Sequence, residues 1–295
     1  MQDSVHRRVS KLKDAPGSAP VRLLERGGVP FLIFPSLEET GVVVHGFSTR
    51  LGGVSDGIFS SMNLSFSRGD DSDAVRENFE RIAAAVGFDC KDLVFSDQTH
   101  TVNIRKVTRK DRGKGFSRPR DYTCVDGLVT DEPGLTLATF FADCVPLYFV
   151  DPVRRCIGLS HSGRKGTAGR IGRLTVERMS EEYGSDPVDI RAVIGPSICG
   201  GCYEVGPEVI EEFEEAFDEE DWPRIFRKKD GLEEEKYLLD LWQANEIILL
   251  DAGITKGHLA TAGLCTCCNP GFLFSHRASK GRRGNLAAFL MLKAD

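Results

Sequence analysis

The stretch from Leu135 to His161 constrains the fold more than any other part of this chain. Apolar residues dominate Leu137–Phe141, Val145–Val150 and Cys156–Ser160, and the breaks between them are short: Ala142-Asp143-Cys144, then Asp151-Pro152-Val153-Arg154-Arg155. Short apolar runs bounded by turn formers read as strands, and the second and third are close enough to pair as an antiparallel hairpin. Counted back from the turn, Val150 faces Cys156 and Val145 faces His161, which leaves Cys144 within one position of His161. Cross-strand neighbours lie ~5 Å apart at Cβ. A thiol and an imidazole at that separation can share a metal or form a thiolate–imidazolium pair. They can equally be a buried structural cysteine and a capping histidine.

A third group stands at the end of Asp97-Gln98-Thr99-His100, again between two apolar runs, Val94–Phe95 and Val102–Val107. Two His and one Cys suffice to hold zinc with a fourth position left open. Cys199-Gly200-Gly201-Cys202 and Cys265-Thr266-Cys267-Cys268 form a competing constellation, since each contains the C-x-x-C spacing of structural zinc sites. The alternative for these four is small turn cysteines packed tightly. Ser162–Arg170, glycine-rich and basic, leads toward a helix and could cradle an anion on free backbone N–H groups.

Around these motifs the pattern alternates between strand and helix. Val21–Leu24, Phe31–Phe34, Val42–Phe47 and Ile190–Ile194 read as strands. Val75, Phe79, Ile82, Ala83 and Val86 recur at helical spacing, with Asp71 or Ser72 to cap the start and Gly87 to end it. Further helices are expected at Leu174–Tyr183, after Pro207, at Leu241–Ala252 and at Leu286–Leu292. The basic stretch 109–121 reads as a surface loop or a lid. Residues 1–27 read as a leader and 28–295 as one catalytic domain. The acidic run Glu211–Asp221 is best explained as a solvated helix face.

Composition narrows the function. The 295 residues carry a net charge of −6, which supplies no global basic field for nucleic acid. Apolar runs fall far short of the ~20 residues that span a bilayer, and the first residues lack an apolar signal region. Nine cysteines, an odd number, fit reduced thiols in a cytoplasm better than a disulfide framework. Of the six histidines, His6 is assigned to the leader and His258 to the surface, while His45 could line a pocket.

Several motifs occur in one order: His45-Gly46-Phe47-Ser48-Thr49-Arg50-Leu51-Gly52-Gly53, Asn63-Leu64-Ser65, Gln98-Thr99-His100, Asp126-Gly127-Leu128, Ala142-Asp143-Cys144-Val145-Pro146-Leu147, His161-Ser162-Gly163, Cys202-Tyr203-Glu204-Val205-Gly206 and Phe274-Ser275-His276-Arg277. From about residue 28 onward the chain closely resembles the laccase-domain family, labelled polyphenol oxidase and since assigned purine nucleoside phosphorylase activity. The resemblance implies an α+β fold, a single-domain α/β/β/α sandwich with mostly mixed and antiparallel sheets. It implies a zinc-binding catalytic trio at His100, Cys144 and His161. It further implies phosphorolysis of adenosine, inosine, guanosine and methylthioadenosine, with adenosine deamination as a related activity.

On that footing His45, Arg50, Asn63, Asp143, Lys165 and Arg277 are the candidate substrate-binding residues, with Lys165, Arg50 and Arg277 holding phosphate. The chain departs from the family where His-Ala-Gly-Trp-Arg-Gly becomes His161-Ser162-Gly163-Arg164-Lys165-Gly166, so a point charge replaces a forked one. The expected partners are a purine nucleoside and phosphate, with no nucleic acid or membrane, in a cytoplasmic monomer or homodimer. Three other readings stand beside this one. A copper polyphenol oxidase would use the same ligands, although six histidines without a His-x-His pair are few for multicopper chemistry. A metal-free cysteine hydrolase would use Cys144 as nucleophile and His161 as base. A zinc-stabilised binding module would use Cys199, Cys202, Cys265 and Cys268.

Overall fold

A computed structural model describes residues 21–229 and 235–294. The leader 1–20, with His6, lies outside them. Two six-stranded sheets face each other. The first runs β1 (Arg22–Arg26), β2 (Val29–Ile33), β3 (Val43–Ser48), β15 (Leu286–Leu292), β7 (Thr136–Phe141), β4 (Leu93–Phe95) in spatial order. The second runs β14 (Leu259–Thr261), β10 (Arg191–Ile194), β8 (Val145–Asp151), β9 (Cys156–Ser162), β6 (Gly127–Thr130), β5 (Ile104–Lys106). Both are mixed. A small third sheet joins β11 (Glu204–Val205), β13 (Tyr237–Leu239) and β12 (Phe226–Lys228). Arg22 pairs with Ile33 and Arg26 with Val29, so residues that the sequence reading put in the leader form the edge strand of the first sheet.

Strand alternation sorts the core into layers. Leu286, Ala288, Leu290 and Leu292 point between the sheets with Leu137, Tyr148, Ile157 and Leu159, whereas Ala287 and Phe289 point outward. The outward face of the first sheet is covered by helix Ser72–Val86 through Val75, Phe79 and Ile82. Its Asp71 side chain accepts from the Asp73 N–H, and Gly87 ends it in the left-handed region at φ 104°, as the sequence led us to expect. The outward face of the second sheet is covered by helices Ile171–Tyr183, Pro207–Ala216 and Leu241–Asp251. The architecture is therefore the α/β/β/α sandwich.

Leu286–Leu292 is a strand and not the helix expected from its composition. It pairs antiparallel with β3 on one side and β7 on the other. A strand buried on both faces is continuously apolar, and a run of that length carries no period to tell it from a helix.

His45 is also not where the sequence placed it. Its strand, β3, sends Val43 and Phe47 into the core between the sheets, and His45 follows the same alternation. The ring is buried, stacks on Phe34 at 5.7 Å and accepts the Phe34 backbone N–H on Nε2 at 2.9 Å. It does not line the site cavity described below. Burial lowers its pKa from 6.5 to about 4. Below pH 6.5 the unfolded chain takes up a proton that the folded chain refuses, so folding stability falls as pH drops through that window. We expect a loss of about 2 kcal/mol between about pH 7.5 and about pH 5 from this group. Urea midpoints at the two pH values measure it, and His45→Gln should flatten the difference by that amount.

Candidate metal centre

The hairpin forms, but its register differs by one residue from the expected one. Asp151 faces Cys156, Pro146 faces His161 and Val145 faces Ser162. A one-residue slip reverses which face a side chain takes. With Val145 opposite His161, the thiol would point to the far face. In the observed register Cys144 continues the β8 alternation beyond Val145 and falls diagonal to His161 on the same face. The turn that delivers it is held in the left-handed region at Asp143, φ 89°. Thr266 Oγ1 and the Arg277 N–H each donate to the Asp143 carboxylate at 2.6 Å, and the Ile198 N–H donates to its carbonyl at 3.0 Å. A non-glycine residue there is uncommon and persists because these contacts over-determine it.

His100 arrives from the opposite side in a similar state, with φ 64°. One buried carboxylate organises that approach. Asp126 accepts the N–H groups of Thr99 and His100 at 3.1 Å and Thr101 at 2.9 Å, together with the Thr101 hydroxyl at 2.9 Å. Its Oδ1 also takes the Nδ1–H of His161 at 2.8 Å. That bond turns Nε2 of His161 toward the thiol and fixes the tautomer suited to ligation. Burial raises the Asp126 carboxyl, but the His161 ring and the amide donors outweigh it and hold the group below its ordinary range.

The result is that one donor atom each from His100, Cys144 and His161 all lie within 4.8 Å of one another. His161 is buried, Cys144 partly so, and His100 is exposed, so the group opens to solvent on one side. Gly163 forms the floor beneath it. A Cβ there would lie 3.0 Å from the Cys144 sulfur, 3.0 Å from Cδ2 of His100 and 3.5 Å from Cε1 of His161. Burial pushes the Cys144 thiol up, but the His161 charge and hydrogen bonds from both imidazoles reverse the shift and favour the thiolate. His161 is raised in turn, burial being outweighed by Cys144 and Asp126. Two imidazoles and a thiolate, one imidazole oriented by a carboxylate, match an open three-ligand zinc site. The same donors also accept copper.

These residues help line a cavity of about 360 Å³, within the size range of small-molecule sites. Phe66, Phe95, Phe140 and Phe141 supply aromatic wall, and Arg68, Arg120 and Arg283 supply positive charge. The three arginines escaped the sequence reading because they come from three distant loops, and no local motif marks them. Arg120 belongs to the basic 109–121 stretch, which contributes wall through Gly115 as well. Asp126 and Gln98 were both visible as motif members, but their roles were not. Gln98 is consumed by the sheet edge, donating to the Phe140 carbonyl and accepting its N–H, each at 2.7 Å.

The six residues expected to bind substrate are all outside the cavity lining. Arg50 gives its guanidinium to the carbonyls of Ser60 and Pro270 and lies over Phe274 at 4.6 Å. Asn63 is buried, donating to Asp70 and accepting the Asn285 N–H. Asp143 braces the turn before Cys144. Arg277 donates to the Glu204 carbonyl and lies over Tyr203. Lys165 is exposed on the short helix Arg164–Ala168, which occupies the stretch expected to be an anion loop. Arg164 pairs with Glu212 at 3.4 Å. The four cysteines of the competing constellation do converge, separately from this cavity.

Comparison with known proteins bears on this geometry. The family model described as "Multi-copper polyphenol oxidoreductase laccase" matches residues 44–293. The chain is 40% identical over 255 residues to a Bacillus subtilis protein named purine nucleoside phosphorylase YlmD, covering 85% of this chain and 89% of that one. It is 34% identical over 237 residues to a protein from an unknown prokaryotic organism named adenosine deaminase RL5, covering 79% and 88%. Among solved structures, the Bacillus licheniformis hypothetical protein YfiH superposes with a TM-score of 0.84 at 39% identity, covering 93% of this chain and 99% of that one.

Proposed function

This chain belongs to the multi-copper polyphenol oxidoreductase laccase family, and from that premise we propose that it is a zinc-dependent purine nucleoside phosphorylase. The observation that carries the reading is the convergence of His100, Cys144 and His161 in the wall of a cavity that combines aromatic rings with three arginines. The name of the B. subtilis relative supports it.

A bound zinc at His100, Cys144 and His161 would act as a Lewis acid toward a substrate oxygen or a water in the open position. The rest falls to the chain itself. Arg68 and Arg283 hold the phosphate dianion and keep it aimed at the sugar, while Arg120, paired with Asp97 at 2.7 Å and donating to the Ser96 carbonyl at 2.7 Å, stays part of the wall. Arg283 is the stronger of the two as a desolvated charge. Burial and the Arg68 charge lower it to about 10, so it stays protonated near neutrality, and its Nε is buried without a hydrogen-bond partner. The phenylalanines take the flat purine by stacking. Phosphate oxygen bonds to C1′ as the glycosidic bond breaks, and the base leaves with the bonding pair and accepts a proton. The products are ribose 1-phosphate and free purine.

Copper oxidase chemistry draws less support. The trio supplies only two imidazoles, and four-electron reduction of oxygen needs several coupled metal sites. A metal-free hydrolase would use the Asp126–His161–Cys144 line, but leaves His100 without a role. Adenosine deamination is a second activity of the same site, supported by the name of the RL5 relative. Nine free cysteines fit a reducing cytoplasm, and no helix among the described residues is long and apolar enough to cross a membrane.

The test is hypoxanthine release from inosine by the purified protein with and without phosphate. We expect release to require phosphate and to fall on metal chelation. Release that ignores phosphate would make the protein a hydrolase, and no release from any purine nucleoside would overturn the proposal. Arg283→Ala should raise the KM for phosphate about 10- to 100-fold, the size of a lost charge-assisted hydrogen bond, with a much smaller effect on the KM for inosine.

A further inference from the structure

The two C-x-x-C segments meet at a point the phosphorolysis site does not use. Ser197 and Cys265 form a parallel bridge, with Ser197 donating to the Leu264 carbonyl at 3.2 Å and Thr266 donating back to Ser197 at 3.1 Å. Each segment then turns. The Cys202 and Tyr203 N–H groups close on the Cys199 carbonyl at 3.0 and 3.1 Å, and Asn269 Nδ2 closes on the Cys265 carbonyl at 2.8 Å. The turns bring the sulfurs of Cys199, Cys202, Cys265 and Cys268 within 4.8 Å of one another.

Three details distinguish this from a chance cluster of small residues. The Cys265 sulfur is buried and receives two backbone N–H groups, from Cys199 at 3.3 Å and from Cys268 at 3.4 Å. Amide donors on sulfur stabilise a thiolate, and a donor reaching back across C-x-x-C is how a metal-binding turn is held. The sulfurs of Cys202 and Cys268 are 3.4 Å apart, too far for a bond of about 2.05 Å. The spacing suits the edge of a tetrahedron with metal–sulfur distances of about 2.3 Å, which is about 3.8 Å. All four thiols are free and none is fully exposed.

We propose that Cys199, Cys202, Cys265 and Cys268 form a second metal site, a closed tetrathiolate for zinc distinct from the His100, Cys144, His161 site. Its role is structural. Ile198, next to Cys199, donates to the Asp143 carbonyl, and Thr266, next to Cys265, donates to the Asp143 carboxylate. The tetrathiolate clamps the two loops that hold Asp143 in its left-handed turn, and that turn aims Cys144. Cys267 is the fifth thiol nearby and is not a ligand.

The experiment is zinc content after incubation with zinc and gel filtration. Wild type should hold two equivalents, Cys144→Ala one, Cys202→Ser one, the Cys144→Ala, Cys202→Ser double variant none, and Cys267→Ser two. Because a cysteine variant here can fail to fold, the Cys144→Ala protein is also titrated with an organomercurial while a chromophoric chelator records the metal. Of the eight thiols left in that variant, the exposed Cys124 should react first without metal release, and one zinc should leave in step with four of the others. A folded Cys144→Ala protein that binds no zinc overturns the site, as does a Cys202–Cys268 disulfide in the native protein. Loss of zinc in Cys267→Ser overturns the ligand assignment. None of these readings depends on turnover, so failure of the phosphorylase proposal leaves a different trace.

Discussion

Replacing Cys144 with alanine should lower phosphorolysis about 10³-fold or more and remove the metal of the three-residue site, while leaving a folded chain. The size follows from what is lost. A Lewis acid on a substrate oxygen contributes several kcal/mol of transition-state stabilisation, and each 1.36 kcal/mol is a factor of about ten. Two imidazoles alone are a poor site for zinc, whose open catalytic sites use three protein ligands. Folding should survive because Cys144 lies just before the start of β8 and is only partly buried, so its removal leaves no deep cavity. Initial rates with inosine and phosphate, zinc content and far-UV circular dichroism on the same sample make the test. A variant that turns over at the wild-type rate would remove metal chemistry from this site.

The second large effect is expected at Asp126, which is not one of the three donors but hydrogen-bonds the ring of one of them, His161. Asp126→Asn keeps the shape but replaces one acceptor oxygen with a donor, in a pocket that already presents four N–H or ring N–H groups and a hydroxyl. At least one donor is then left facing another. We expect a loss of 10- to 100-fold in affinity for the catalytic metal, the usual size for removing a carboxylate behind a ligating histidine. Stability should fall by about 3 kcal/mol, since breaking a buried charge network strands its partners. Chelator competition reads the first and urea unfolding the second. The loss should be in metal affinity first, so excess zinc should restore part of the rate. A merely structural role would not respond to zinc.

The sequence carried the site further than it carried the pocket. The hairpin and the proximity of Cys144 to His161 follow from local patterns, because a turn of only four residues, Pro152 to Arg155, fixes two strands over a short length of chain. The register escaped by one residue, since hydrophobicity on a strand buried on both sides does not say which face is which. His100 entered through resemblance; spacing alone left its grouping with the other two a guess. The arginines were illegible for a plainer reason. Arg68, Arg120 and Arg283 are brought to one cavity by loops far apart in the chain, whereas Arg50 and Arg277 stood inside recognisable motifs and turned out to hold backbone carbonyls. His45 misled in the same way: a histidine in a motif is as useful to a core as to a substrate.

Strand β15 has a consequence for how this protein comes into being. It lies fourth in the first sheet, hydrogen-bonded to partners whose residues precede it by about 150 and 240 positions. Until residue 292 has emerged from the ribosome, β3 and β7 have no neighbour between them, and their inner edges stay open to any strand that comes near. The half-made sheet is therefore an adhesive intermediate whose lifetime is set by translation, and synthesis that stalls late should send this chain toward aggregates or chaperones.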